Sequence, residues 1–280
     1  MRFGELFEFY YERHAKVRLK CPENVFYWGK SHLARWKDLE LSAITPHAVQ
    51  LWVDELGASS TTSANRAVNQ LGAILNWGAK RGYYTGPNPC SQVERFSEKS
   101  RERFLMPEEM DRFRAALDRQ PDVVRDLFWM FLLTGARRAN VLSMRWDELD
   151  FRLGVWRIPP DKFKNGDSHL VPLTAPALAI LERRRQKVKS AWVFPGKKLG
   201  THLKEPKRAW AKVLASAGVS DLRIHDLRRT VGSYMAIQGV SQYVIGKTLG
   251  HKDQRSTAVY ARLNLDPVRK ALDDLQSFYI

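Results

Sequence analysis

The chain has 280 residues and a mass of 32.3 kDa, so we expect two domains or one large one. Hydrophobic residues make up 44% of it and charged residues 27%, a globular composition that excludes disordered and collagen-like proteins. The net charge of +16, of which residues 101–280 carry +13, favours a polyanionic partner, with nucleic acid ahead of an anionic membrane surface.

The first hundred residues have apolar side chains at helical spacing. We predict a helix over Pro22 to Trp36, a second that begins at the N-cap residue Thr45, and a third from Ser59 to Lys80. These elements predict an all-helical domain over residues 1–82. The following residues, 83–104, are rich in Gly, Pro, Ser and charge and lack apolar periodicity, which predicts an exposed interdomain linker. Four tryptophans on the helices are interpreted as core residues and not as base-stacking platforms: Trp28, Trp36, Trp52 and Trp77.

Residues 105–280 are predicted to form a second, mostly helical domain. Its helices are expected over about 108–118, 122–133, 138–145, 175–189, 205–217, 225–238, 241–249 and 266–276. Two strands, at residues 155–158 and 169–173, flank the segment Lys164-Asn165-Gly166-Asp167, in which Asn-Gly is a strong hairpin-turn signal. The predicted fold class is therefore mainly α with a small β-hairpin insertion.

The cysteines and the apolar runs indicate the compartment. Cys21 and Cys90 are the only cysteines, too few for a zinc finger or a disulfide framework, and they fit a reducing environment. No run of about 18 apolar residues is present to span a bilayer, and acidic residues interrupt the start of the chain where a signal peptide would be apolar. We expect a cytoplasmic protein with no membrane partner.

Five short segments carry residue types that can bind or attack a phosphate. They contain, in chain order, Arg137 (in TGAR), Lys164 (in the predicted hairpin), His225 and Arg228 (in HDLRR), His251 (in LGH) and Tyr260 (in AVYAR). The histidine and arginine of HDLRR lie three residues apart, on one helix face, and can address a single phosphate. Each segment alone also has an ordinary structural interpretation, as a turn, a solubilising lysine, a helix end or a packing tyrosine.

Together, in this order, the segments resemble the catalytic domain of tyrosine recombinases, the phage-integrase family. HDLRRT, LGHKD and the nine-residue spacing from His251 to Tyr260 are similar to the family's motifs almost letter for letter. The helical first domain and the linker sequence SRERFL are similar to the core-binding half of integrases of prophages and genomic islands. The resemblance implies a small helical (SAM-like) core-binding domain and a mostly helical catalytic domain that clamp duplex DNA between them.

The resemblance also implies residue roles. Tyr260 would attack a DNA phosphate and hold it as a 3′-phosphotyrosine until a 5′-hydroxyl releases it, so ATP is not needed. Arg137 and Arg228 would bind the non-bridging oxygens, where charge accumulates in the transition state. No metal or other cofactor is expected. The remaining histidines lack metal-ligand spacing and are interpreted as structural or exposed: His14, His32, His47, His169 and His202.

The other three residues complete the implied site. Lys164 would protonate the leaving 5′-oxygen, and His225 and His251 would hydrogen-bond the phosphate or move protons. Two neighbours compete for these assignments, Arg138 with Arg137 and Lys162 with Lys164. We prefer Arg137 from the TGxR register and Lys164 because the family motif places its lysine directly before the Asn-Gly turn. Where many members have glutamate, this chain has Asn140, which could still hydrogen-bond neighbouring backbone.

The expected partner is double-stranded DNA at attachment or core sites. The resemblance implies dimers on DNA that pair into a tetramer and exchange strands through a Holliday junction, with accessory DNA-bending or directionality proteins as further candidate partners. An apolar stripe at Val268, Leu272, Leu275 and Phe278 favours packing of the tail on a neighbouring subunit over packing within the chain. Only about twenty residues precede Pro22, so the amino-terminal arm-binding domain of many integrases is expected to be absent or removed.

We therefore predict a site-specific recombinase that integrates or excises a mobile element. Two alternatives remain: a type IB topoisomerase-like nicking and closing enzyme, which would use the same residues, and a catalytically silent DNA-binding regulator on the same fold. Strand exchange between two duplexes would distinguish a recombinase from the topoisomerase-like enzyme. A protein that behaves the same in every assay after loss of the Tyr260 hydroxyl would favour the regulator. The basic run at residues 183–189 is either a solvated helix face or a surface that tracks phosphates.

Overall fold

The computed structural model describes residues 1–98, 100–163, 167–253, 255–263, 269 and 272–275. The chain divides into two compact units, Met1–Arg101 and Glu102–Ile280. Within the residues that the structure describes, no helix combines the length and the apolar composition needed to cross a membrane.

The described residues of the first unit form helices joined by turns. Its α-helices are α1 (Phe3–Tyr10), α2 (Lys16–Arg18), α3 (Pro22–Ser31), α4 (Pro46–Gly57) and α5 (Thr61–Ala79), and a π-helix at Tyr11–Ala15 joins α1 to α2. The Thr45 hydroxyl accepts a hydrogen bond from the backbone N–H of Ala48, and the Ser60 hydroxyl accepts one from Ser63. These contacts satisfy amide groups that a helix start otherwise leaves unpaired. The N-cap predicted at Thr45 is confirmed.

Tryptophans form much of the core of the first unit. Trp36, Trp52 and Trp77 are buried, and the partly buried Trp28 packs against them and the other core residues. The rings of Trp36 and Trp52 meet edge to face, with centroids 5.4 Å apart. Burying one such side chain contributes about 2–3 kcal/mol to folding. The interpretation of these tryptophans as core residues is confirmed.

The second unit is also mainly helical. Its α-helices are α6 (Pro107–Asp118), α7 (Asp122–Thr134), α8 (Arg138–Leu142), α9 (Ala175–Lys187), α10 (Lys207–Ala217), α11 (Ile224–Ile237), α12 (Gln242–Leu249) and α13 (Arg255–Ala258). Helix α7 packs against both α9 and α11, and its Phe128 and Phe131 are buried in the core. Of the predicted apolar tail stripe, Leu272 and Leu275 are exposed, whereas Val268 and Phe278 lie outside the described residues.

A small antiparallel sheet is inserted between α8 and α9. It contains β1 (Leu149–Asp150), β2 (Val155–Ile158) and β3 (His169–Pro172), in the order β1-β2-β3. The pairing of β2 with β3 ends at Ile158 and His169, so the connection is longer than an Asn-Gly turn. Pro159 and Pro160 follow Ile158, and neither has the N–H that would continue the ladder. The strand β1 was not predicted from the sequence.

The basic run on α9 is tied to α7 by ion pairs. Arg184 is buried, with its Nη1 3.3 Å from the Oδ2 of the buried Asp126, and its Nη2 donates to the carbonyl oxygen of Val193. Arg183 also pairs with Asp126, and Lys187 pairs with Asp122. Three of the basic side chains at residues 183–189 therefore hold two helices of this unit together, which supports an intramolecular role over phosphate tracking.

Candidate active site

A left-handed glycine ends α7 two residues before the partly buried Arg137. Helix α7 ends at Gly135, whose φ of +58° is a conformation that glycine adopts readily. A Cβ at this position would lie 2.9 Å from Cδ2 of Leu249, so the close approach also requires glycine. The Arg137 Nη2 donates to the carbonyl oxygen of Gly250 at 3.0 Å, and its guanidinium lies 4.5 Å from the centroid of the Phe163 ring.

Arg228, on α11, contacts the turns that end α7 and α12. Its side chain is buried, with the residue 6% exposed. Its Nη1 donates to the carbonyl oxygen of Gly135 at 2.7 Å, and its Nη2 donates to that of Leu249. Burial, followed by the charge of Arg137, lowers the pKa of Arg228 to about 10, so it remains charged at neutral pH.

The two arginines form a concentrated positive site. Among the residues that the structure describes, neither forms an ion pair with a carboxylate, and the Nη1 of Arg137 is buried without a hydrogen-bond partner. Burying two neighbouring cations without a counter-ion is unfavourable unless an anion joins them. The pair is therefore suited to bind an anion with several oxygen acceptors, such as a phosphodiester.

His251 lies beside this pair, directly after the left-handed Gly250 that ends α12. Its backbone N–H donates to the carbonyl oxygen of Gly246 at 2.8 Å, and its ring Nδ1 is 2.8 Å from the Oγ1 of Thr257. Burial and then the charges of Arg228 and Arg137 lower the pKa of His251 to about 4. The imidazole is therefore neutral at pH 7.

His225 lies in the first turn of α11, one helical turn before Arg228. The surrounding protein desolvates it and, with Arg228 and Arg229, lowers its pKa. The side chain is nevertheless exposed to solvent, which screens part of this effect. The neutral imidazole is favoured here too.

Tyr260 packs against α11 and His251. The residue is only 5% exposed, and its ring is parallel to that of His251, with centroids 6.5 Å apart. The ring also approaches Gly232, where a Cβ would lie 2.6 Å from Cζ of the tyrosine. Burial raises the pKa of Tyr260, while the charges of Arg228 and Arg229 act in the opposite direction. The phenol is therefore protonated at neutral pH, and it lies within electrostatic reach of the arginine site.

Comparison with known proteins identifies the family. The model of the phage integrase family matches residues 103–266, which include all of these site residues. The chain belongs to the phage integrase family. It is 25% identical over 263 residues to the prophage integrase IntF of Escherichia coli K12, covering 89% of this chain and 56% of that protein. It is 28% identical over 173 residues to the integrase of Salmonella phage P22, covering 58% of this chain and 44% of that one.

Solved structures show the same fold. A lambda integrase fragment, residues 75–356, in a dimer bound to a COC′ core site superposes with a TM-score of 0.74 at 18% identity, covering 91% of this chain and 96% of that one. The Tn1549 transposon integrase with a circular intermediate DNA gives a TM-score of 0.77 at 14% identity, covering 96% and 99%. The predicted fold class, mainly α with a small β insertion, is confirmed. The chain spans about half the length of the curated relatives it matches.

Arg138 and Lys162, the two residues that competed for site assignments, each form an ion pair. The exposed Arg138 pairs with Glu205 at 3.1 Å. Lys162 pairs with Glu148 and donates to the carbonyl oxygen of Ser143 at 2.6 Å. Both competitors are thus engaged elsewhere. The preferred lysine, Lys164, lies outside the described residues.

Asn140 stands where many family members have glutamate. Its side chain is buried, and among the described residues the Nδ2 atom has no hydrogen-bond partner. The backbone contact expected for this residue is therefore not made by the amide nitrogen.

Sequence reasoning missed Phe163 and His169 as neighbours of the arginines. Their rings stack with centroids 4.9 Å apart, and a Cβ on Gly250 would lie 2.6 Å from the Phe163 ring and 3.0 Å from that of His169. Burial and the charges of Arg228 and Arg137 lower the pKa of His169, whereas its hydrogen bond to the Thr248 backbone raises it. The one signal in the sequence that could have indicated them is their position on either side of the segment that contains Lys164.

Gly232 allows the tyrosine ring to lie flat against α11. We expect Gly232→Ala to slow covalent attachment to DNA by at least about tenfold, because displacement of a reacting group by 1 Å can cost up to about a hundredfold. Overpacking should also lower the free energy of unfolding by about 1–3 kcal/mol, partly offset by the higher helix propensity of alanine. Single-turnover cleavage and urea denaturation measure the two effects. Gln238→Ala, at the exposed end of α11, is the matched control, and equal cleavage by both variants would contradict the packing argument.

The low pKa of His251 predicts a loss of stability in acid. Below about pH 6.5 the unfolded chain protonates this histidine, whereas the folded protein does not until about pH 4. The unfolded state binds more protons in this window, so the free energy of unfolding decreases as the pH falls through it, by on the order of 3 kcal/mol at most. Urea denaturation of the wild type and His251→Gln at several pH values isolates this residue. Parallel pH dependences of the two proteins would refute the prediction.

Proposed function

We propose that this chain is a site-specific DNA recombinase that cleaves and rejoins strands through a 3′-phosphotyrosine intermediate at Tyr260. The observation that carries the proposal is a buried tyrosine within electrostatic reach of Arg228, which, like Arg137, has no carboxylate partner among the described residues. A phosphodiester supplies the missing negative charge. The tyrosine then supplies the nucleophile, and no metal is needed to neutralise the phosphate.

In the cleavage step, the Tyr260 Oη forms a bond to phosphorus and the bond from phosphorus to the 5′-oxygen breaks. The phenol is protonated because burial raises its pKa, so its proton must leave as the new bond forms. A neutral imidazole, as favoured at His225 and His251, can accept that proton or hydrogen-bond the phosphate. Guanidinium groups of Arg137 and Arg228 stabilise the charge on the non-bridging oxygens. The reverse step, with a 5′-hydroxyl as the nucleophile, rejoins the strand.

We propose that Lys164 donates a proton to the leaving 5′-oxygen, because its position before the Asn-Gly turn resembles that of the family's lysine. A leaving alkoxide needs a proton, and a lysine that has passed its proton to the 5′-oxygen is ready to take one back on rejoining. The engagement of Lys162 with Glu148 and Ser143 supports this choice, because it removes the neighbouring lysine from competition.

The substrate and assembly in this proposal are double-stranded DNA and a dimer that pairs into a tetramer. Structures of the lambda integrase as a dimer on a core site and as a tetramer on a Holliday junction support this assembly. The domain assignment is a DNA-core-binding domain at residues 1–82, a linker at 83–104 and a catalytic domain at 105–280. Relatives named as prophage and phage integrases support a role in integrating or excising a mobile element.

A covalent trap tests this function. The protein is incubated with end-labelled, nicked duplexes from the ends of its own element, in EDTA and without ATP, and the products are resolved on a denaturing gel. We expect a protein–DNA band whose linked peptide, identified by mass spectrometry, contains Tyr260. Salt-sensitive binding of the same DNA with no covalent product would overturn the proposal in favour of a DNA-binding regulator. Relaxation of supercoils without exchange between two duplexes would favour a topoisomerase.

A further inference from the structure

The hydroxyl group of Thr257 is buried beside His251. The residue is 3% exposed, and its Oγ1 lies 2.8 Å from the Nδ1 of His251. Among the described residues, this is the hydrogen bond that the hydroxyl makes. Helix α12 leaves room for it, because a Cβ on Gly246 would come within 3.1 Å of the same Oγ1. The contact is therefore built into the packing of α13 on α12.

The direction of this hydrogen bond follows from the surroundings. If the Nδ1–H of His251 donated to Oγ1, the buried hydroxyl hydrogen of Thr257 would have no acceptor among the described residues, which is costly. If Thr257 donates to Nδ1, both groups are satisfied. A neutral imidazole has one N–H, so an Nδ1 that accepts leaves the hydrogen on Nε2. The low pKa of His251 supports the neutral form.

The position of Thr257 links this hydrogen bond to the nucleophile. It lies on α13, and three residues later Tyr260 donates its backbone N–H to the Thr257 carbonyl oxygen at 3.0 Å. The turn that packs Tyr260 against α11 therefore also brings the hydroxyl to His251.

We propose that Thr257 is a positioning residue that holds His251 as the Nε2–H tautomer, so that the turn that carries Tyr260 also orients the histidine of the phosphate site. In this arrangement His251 donates a hydrogen bond from Nε2 to the phosphate, and the proton of the Tyr260 phenol passes to another acceptor, for which His225 is available. The assignment of these roles rests on the proposed function, whereas the tautomer itself is a property of the free protein.

Nuclear magnetic resonance of the free protein tests the tautomer. In full-length protein labelled with 15N-histidine, long-range ring correlations distinguish a protonated from an unprotonated ring nitrogen, and His251→Gln identifies the signals of residue 251. We expect an unprotonated Nδ1 and a protonated Nε2 in the wild type at pH 7, and a mixture of tautomers in Thr257→Val. A protonated Nδ1 in the wild type, or an unchanged spectrum in Thr257→Val, would overturn the proposal.

Single-turnover cleavage tests whether the contact between Thr257 and His251 affects the rate of the reaction. We expect Thr257→Val, which keeps the shape of threonine, to cleave about tenfold more slowly with unchanged DNA affinity, and Thr257→Ser to restore the rate to within about threefold. In a His251→Gln background, Thr257→Val should change the rate by less than about twofold, because the partner is already absent. The exposed Ser256→Ala is the control on the same helix.

The two hypotheses fail in different ways. If the wild type forms no covalent product, the proposed function fails while the tautomer result stands. If the wild type cleaves, and Thr257→Val cleaves equally fast or slows equally with and without His251, the positioning role is wrong.

Discussion

Tyr260→Phe is expected to abolish covalent attachment to DNA while the fold and DNA binding are retained. The substitution removes one oxygen atom and keeps the ring that packs on Gly232 and His251. Without the hydroxyl there is no nucleophile in the site, so the loss should be complete and not partial. Denaturing gels with nicked duplexes measure the covalent product, and a titration on the same DNA measures affinity.

Tyr243→Phe is a matched control, because this tyrosine on α12 is 71% exposed and its ring lies beside Lys247. It should form the covalent product at the wild-type rate. A residual product with Tyr260→Phe would show that another residue attacks the phosphate. Equal behaviour of wild type and Tyr260→Phe in every recombination assay would favour the silent regulator.

Arg228→Lys is expected to have the second largest effect, although it retains the positive charge. The guanidinium donates to the carbonyl oxygens of both Gly135 and Leu249, and a single ammonium group cannot reproduce this forked geometry. We expect cleavage to slow by about 10²- to 10³-fold, the effect of losing one preorganised donor to a developing oxyanion. A buried carbonyl left unpaired should also lower the free energy of unfolding by about 1–3 kcal/mol.

Single-turnover rates and urea denaturation measure these two effects separately. Arg138→Lys is the control, since Arg138 is exposed and pairs with Glu205, and its rate should remain within about twofold of the wild type. Arg228→Lys cleavage within tenfold of the wild type would show that charge alone, and not the guanidinium fork, is what the phosphate requires.

The sequence by itself determined the local features of this protein. The hydroxyl of Thr45, the proline after it and the apolar spacing of α4 act over a few residues, so the start of that helix could be predicted. Gly135 and Gly250 could be placed at helix ends for the same reason, because a left-handed residue is a local requirement. The order and spacing of the site motifs were likewise visible, and they indicated the family that the comparison identified.

Only the tertiary structure decided which groups meet across long stretches of chain. Arg228 binds the carbonyl of Gly135, 93 residues away, and Arg137 binds that of Gly250, 113 residues away, so no local pattern reports either contact. The placement of His169 beside the arginines depends on how the sheet packs against the end of α12. The burial of Arg184 with Asp126, within a run of charges that resembles a solvated face, depends on the packing of α7 against α9. Hydrogen-bond partners and desolvation depend on neighbours brought together in space, and single-sequence periodicity contains information only about neighbours along the chain.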